Sequence, residues 1–372
     1  MRAILRHRSG LHGIAGLLLA ALVLGSSCTR ASGEVPRGAS APAPPGPAAN
    51  APLPTAAPSP PAKVQVGVIG SPSDAGLYIA MERGYFAAQG IDAELVYFDS
   101  GARMPPAIGT EQIQVGGGVL SAGFYNLVAQ EVPLKIVADK GSFSAGFGFE
   151  GLMVRKDLLD SGQVRSVADL RGRTIAHSAE ANGTHFLLEV ALRSGGLSDR
   201  DVNLVTMPFP DMVPALANRS IDAGMFLEPN GVRAEEQGVG VRWLYGDQIY
   251  PNYQLAVLFY SAGFVRQEDL ARRFMVAYLQ GVRDYNDAFV RQRNTDEVIA
   301  ILAKHGTVKD PTMYRRMVAP SLHPDGLLNL DSLRQEYDWY LERGYIKNRL
   351  DLLSIIDDRF RQAAVAQLGP YR

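Results

Sequence analysis

The sequence predicts an α/β protein of two similarly built lobes, with mainly parallel sheets flanked by helices and a helical C-terminal segment. Three observations predict it. Strand-like and helix-like stretches alternate between residues 64 and 138, and the alternation restarts after residue 170. A stretch of sequence also recurs without gaps: Met104, Pro106, Ala107, Ile108, Ile113 and Gly116 are answered 108 positions later by Met212, Pro214, Ala215, Leu216, Ile221 and Gly224. That offset is too long for a solenoid repeat and too short for two complete domains. It marks two matching halves, and the gap between such halves is a favoured place for a small ligand. Finally, Leu270, Phe274, Ala277, Tyr278, Gly281, Val282, Tyr285 and Phe289 recur at three- and four-residue steps, one apolar stripe of a long helix.

The chain opens with Arg2, Arg6 and Arg8, then an apolar or small run over residues 14–24, then Gly25-Ser26-Ser27-Cys28. The run is far shorter than the ~20 residues of a membrane span. Residues 1–27 therefore read as an export signal, and Cys28 as the lipidated first residue of the mature chain, although Leu24 lies one place further from the cysteine than in the commonest lipobox. Residues 28–62, rich in Pro, Ala, Gly and Ser, read as a disordered tether. With 37 basic against 38 acidic residues, three arginines of which lie in the signal, the charge gives no support to nucleic-acid binding. One cysteine excludes an internal disulfide framework and a cysteine-built metal site.

Beyond the tether, residues 64–69 read as a buried strand, and Ser71-Pro72-Ser73-Asp74 as the start of a helix carrying Leu77, Ile79, Ala80 and Met81. Strands follow over 93–98, 113–115 and 134–138, with helices over 105–110 and 122–129 between them. The second series has strands ending near 176, over 202–207 and over 221–226, with helices over 184–193 and 212–217; a strand at 255–259 returns. Crossings between lobes are expected at 151–154 and 250–254, giving one lobe of 63–152 plus 254–372 and another of 153–253. Asn294 with Glu297, and Ser332 with Gln335, read as helix caps. Tyr278, Tyr285, Tyr337 and Tyr340 read as core.

Gly84-Tyr85-Phe86 followed by Gly90-Ile91, then Ala138-Asp139-Lys140, Asp169-Leu170-Arg171-Gly172, Ile221-Asp222-Ala223 and Glu228-Pro229 occur in this order. Together they resemble the substrate-binding proteins of nitrate/sulfonate/taurine-type ABC importers, a superfamily shared with binders of thiamine-precursor pyrimidines. The resemblance implies a type II periplasmic-binding-protein-like clamp, held at a membrane by a lipid anchor, that captures a small polar solute and hands it to an ABC permease. It implies a single copy, no cofactor and no catalysis. An enzyme like the superfamily's pyrimidine synthase is the alternative, but that resemblance carries a cysteine-rich motif and no cysteine follows Cys28 here. A sensor for a signalling partner is a further alternative.

Ligands gather beyond the carboxyl ends of strands, where helix starts expose N–H groups. Ser71 and Ser73, Ser100 and Gly101, and Ser121 meet this description in the first lobe. Asn182, Gly183, Thr184 and His185 meet it in the second, and match the family's glycine-and-hydroxyl loop. Each hydroxyl serves equally well as a helix cap. Glu228 would favour a ligand with an amino group and repel a bare anion, or else form an inter-lobe salt bridge. Lys140 could meet a substrate acid or pair with a neighbouring carboxylate. Phe209 and Phe226 could sandwich a flat ligand or belong to the core. His177 and His185 fit no zinc spacing and read as hydrogen-bonding groups.

Overall fold

A computed structural model describes residues 60–132 and 134–372. The expected signal and Cys28 lie outside the described residues. Ten strands form two five-stranded sheets of matching order. The first contains β1 (Ala62–Val68), β2 (Ile91–Tyr97), β3 (Val115–Val119), β4 (Lys135–Ser142) and β10 (Gln254–Tyr260), ordered β2-β1-β3-β10-β4. The second contains β5 (Glu150–Arg155), β6 (Thr174–His177), β7 (Asn203–Thr206), β8 (Ala223–Leu227) and β9 (Gly240–Tyr245), ordered β7-β6-β8-β5-β9. The expected tether overran by one residue, because Ala62 already pairs with Ile91 in β1.

Four strands of each sheet run one way and one runs against them. β10 is antiparallel to β3 and β4, and β5 is antiparallel to β8 and β9. These are the first strands after each crossing, so the chain enters each sheet from the end that faces the other lobe. The repeat at residues 104–116 and 212–224 falls on equivalent elements: a helix (Pro105–Gly109, Phe209–Ala217) leading into the central strand β3 or β8.

The first crossing is not where the sequence suggested. Residues 151–154 lie inside β5, and the sheet changes between Ser142 and Glu150. Gly151-Leu152-Met153-Val154 is an apolar run buried on both faces, whereas the serines and glycines of 142–148 supply the turn. The two crossings lie side by side, with the Phe143 N–H donating to the Tyr253 carbonyl at 2.9 Å.

The long helix Glu268–Phe289 packs on Ala75–Glu82, and its stripe is buried as expected from Leu270 to Tyr285, with Phe289 half-buried at its end. Contact is closest at Gly281, where a Cβ would meet the Gly76 carbonyl oxygen at 2.1 Å. The helix Leu330–Glu342 touches both lobes: Tyr337 packs on Tyr125 at 5.0 Å, and Trp339 on Phe186 at 5.6 Å. Arg343 then pairs with Glu189 and Asp199 of the second lobe at 2.6 and 2.7 Å. The four tyrosines 278, 285, 337 and 340 are all core. Among the described residues no helix is long and apolar enough to cross a membrane.

Candidate functional site

The carboxyl ends of β1 and β2 face those of β7 and β8 across a cleft of 460 Å³. The first lobe contributes Gly70, Ser71, Tyr97, Phe98, Asp99 and Thr307. The second contributes Phe209, Asp211, Leu227, Glu228, Asn230 and Arg233. Gly70 turns the chain at φ +74°, with a Thr307 methyl where its Cβ would sit. The Thr307 hydroxyl donates to the Gly70 carbonyl at 3.0 Å, which pins this lip.

Directly behind Ser71, the Asp74 carboxylate accepts from the N–H groups of Ile69 and Ser71 at 3.3 and 3.0 Å. Its other oxygen lies 2.7 Å from the Lys140 ammonium, and both side chains are fully buried. Lys140 also donates to the Ser73 hydroxyl at 3.0 Å. Lys140 and Ser73 are therefore committed to shaping the loop behind the cleft and do not line it. Of the first-lobe hydroxyls expected there, Ser71 alone reaches the lining. Gly101 packs on the end of β3, where a Cβ would meet the Val119 nitrogen at 2.7 Å, and Ser100 beside it stays off the lining.

Glu228 lines the cleft, but its carboxylate is taken. Arg242 lies 2.6 Å from it within the same lobe, and the N–H groups of Val232 and Val318 donate at 3.2 and 3.1 Å. Burial pushes its pKa up, and Arg242 and the two N–H groups pull it back only in part. The inter-lobe salt bridge expected as the alternative is thus an ion pair inside the second lobe; the Val318 N–H is the contact from outside it. Phe226 is buried in β8, whereas Phe209 lines the cleft.

Asn182, Gly183, Thr184, His185 and Ser121 sit elsewhere, at a second meeting of the lobes. The Ala122 N–H donates to the Ala181 carbonyl at 2.9 Å, and the Gly183 N–H to the Leu120 carbonyl at 3.1 Å. Ser121 and Asn182 form a β-bridge between them. The Asn182 side chain caps its own helix by accepting from the His185 N–H at 2.9 Å. His185 packs on His177 and Trp339; burial pushes its pKa down to about 4 and lowers that of His177 as well, so both rings are neutral packing groups. Thr184 donates to Glu150 at 3.3 Å. Backbone thus fills the place where these residues were expected to hold ligand.

Sequence reasoning missed Arg233. It lies one turn into the helix that follows Glu228-Pro229, accompanied by Asn230 at 3.3 Å, and makes no ion pair among the described residues. Asp99 across the cleft and Asp211 on the same side are likewise unpaired among the described residues and line it with Phe98, Tyr97 and Phe209. Looking for charges in the first turn of the helix that follows β8 would have found Arg233. No described cluster of three metal-ligating side chains exists.

A family model described as NMT1/THI5 like matches residues 71–287, more than half of the chain. A riboflavin-binding protein, RibY, of Chloroflexus aurantiacus is 26% identical over 253 residues, covering 66% of this chain and 69% of that one. A putative ABC transporter periplasmic binding protein of Brachyspira hyodysenteriae is 26% identical over 284 residues, covering 72% and 78%. Among solved structures, the periplasmic nitrate-binding protein NrtA of Synechocystis PCC 6803 superposes with a TM-score of 0.67 at 17% identity, over 84% of this chain and 90% of that one. At that identity the likeness concerns the fold.

Proposed function

Because the chain belongs to the NMT1/THI5-like family, we propose that it is the extracytoplasmic solute-binding component of an ABC importer, and that its solute is a flat nitrogen heterocycle. The observation that carries the solute class is the 460 Å³ cleft, with Phe98, Tyr97 and Phe209 beside Asp99, Asp211 and Arg233, which make no ion pair among the described residues. Sites of roughly 300–1,000 Å³ suit organic ligands of drug size, and a nitrate ion would leave most of this one empty. Aromatic walls suit a planar ring, while carboxylates and a guanidinium suit its ring N–H and carbonyl groups. A flavin or an aminopyrimidine has this pattern, and a relative bearing the name of a riboflavin binder supports it. Arg233 favours a second reading, an aminosulfonate whose ammonium meets Asp99 or Asp211.

Thermal and urea unfolding with riboflavin, an aminopyrimidine, taurine, an alkanesulfonate and nitrate separates these. The true solute at a hundred times its dissociation constant adds about 2.7 kcal/mol of stability. Stabilisation by nitrate with none by either heterocycle refutes the class. Binding leaves the solute chemically unchanged. Acylation of Cys28 would keep the protein beside its permease; C28S would then release it into the soluble fraction.

A further inference from the structure

Glu336 lies on the helix Leu330–Glu342, fully buried, between two tyrosine hydroxyls. Tyr253, in the second crossing, is 2.7 Å from one carboxyl oxygen, and Tyr340 bonds the other. Each hydroxyl has a second acceptor within reach. For Tyr253 it is the Gly183 carbonyl at 3.2 Å; for Tyr340 it is the Leu120 carbonyl at 3.4 Å. Gly183 and Leu120 are one of the two pairs whose backbone hydrogen bonds form the bridge between the lobes at Ser121 and Asn182. Both arms of the network therefore end on the inter-lobe bridge.

Counting protons decides how far the arms reach. Each phenol carries one proton. If Glu336 is ionised, it draws both, and neither carbonyl receives a tyrosine proton. If Glu336 is protonated, the acid donates to one tyrosine, that tyrosine donates onward to its carbonyl, and the other still donates to the acid. The extra proton completes a chain of hydrogen bonds from the C-terminal helix to the bridge.

The groups facing Glu336 leave it without a compensating cation. Tyr125 approaches from the helix Ala122–Ala129 with an unpartnered hydroxyl. Glu150, on β5, neighbours Tyr253 with one oxygen unpartnered, and Tyr250 adds no charge. Tyr337 and Tyr340 share its helix. Arg343, two turns on, is held by Asp199 and Glu189, and Glu336 forms no ion pair among the described residues.

We propose that Glu336 is a proton-dependent latch on the clamp: protonated, it fastens the Leu120–Gly183 contact between the lobes, and ionised, it loosens that contact. Burial pushes its pKa up to about 7, so the latch works between pH 6 and 8. The proposal rests on the two-lobed clamp and is independent of the solute.

Hydrogen exchange of the Ala122 and Gly183 amides, corrected for intrinsic rates, reads the bridge in the purified full-length protein without added solute. A group titrating at about 7 loses roughly tenfold of its protonated population between pH 6 and 8, so wild-type protection falls about tenfold. In Glu336→Gln, a neutral amide with both a donor and an acceptor, protection stays high and flat. Flat wild-type protection overturns the latch. An undiminished fall in Glu336→Gln also overturns it and points to another acid such as Glu150. Should the variant not fold, the Glu336 carboxyl carbon is titrated by NMR in the wild type. A carboxyl midpoint matching the loss of protection supports the latch; protection unchanged across that titration refutes it.

Discussion

Replacing Lys140 with methionine (K140M) strands the Asp74 carboxylate in a site that water does not reach, since both partners are fully buried 2.7 Å apart. Removing one member of such a pair costs about 3–5 kcal/mol, because the remaining charge keeps its desolvation penalty without its partner. Asp74 retains the N–H groups of Ile69 and Ser71, which places K140M toward the lower end of that range. The converse D74N leaves Lys140 with the Ser73 hydroxyl as its remaining partner and belongs toward the upper end. In the double variant neither charge is present, so its loss falls short of the summed single losses by about 2 kcal/mol or more. Urea unfolding of the four proteins, at matched m values, measures this. Additivity to within about 0.5 kcal/mol refutes the account of a buried, mutually dependent pair. The same substitutions release the loop carrying Ser71, so solute affinity should fall with them although neither residue lines the cleft.

Phe209→Ala and Arg233→Ala should each weaken solute binding by about 1–3 kcal/mol, read by calorimetry; unchanged affinity in both would move the site elsewhere. Gly281→Ala drives a methyl group into the Gly76 carbonyl and should cost about 1–3 kcal/mol by urea unfolding; a neutral result would show that the helices Ala75–Glu82 and Glu268–Phe289 can separate freely. His185 is depressed to about 4 by burial, so stability linked to it is present above pH 6.5 and lost as pH falls toward 4, by up to about 3 kcal/mol. Glu150 is raised to about 8 by burial, so its contribution is present below about pH 4.5 and lost as pH climbs to 8. Stability against pH should flatten on the alkaline side in Glu150→Gln, and an unchanged alkaline slope would rule that acid out.

The repeat made the architecture legible, because pattern and spacing survive where the same helix-and-strand unit is used twice. What escaped were elements whose polarity is explained by distant partners. β9 carries Arg242 in a strand, and its charge makes sense beside Glu228, fourteen positions earlier. Ser71 and Glu228 were legible as cleft residues from their place after strands. A carboxylate partner for Lys140 was one of the readings its sequence left open, but which carboxylate was not legible, because Asp74 meets Lys140 across 66 positions. The loop 182–185 had the composition of a ligand site, yet its backbone is engaged by Leu120 and Ala122, a pairing no local window reveals.

The insertion of β10 between β3 and β4 dictates an order of assembly during synthesis or export. Until residue 260 has emerged, the two middle neighbours of the first sheet have nothing to join them. By then every strand of the second sheet is already available. The half that begins later is therefore the half whose sheet can be finished first, and a chain halted before residue 254 would hold one complete sheet and one split in two.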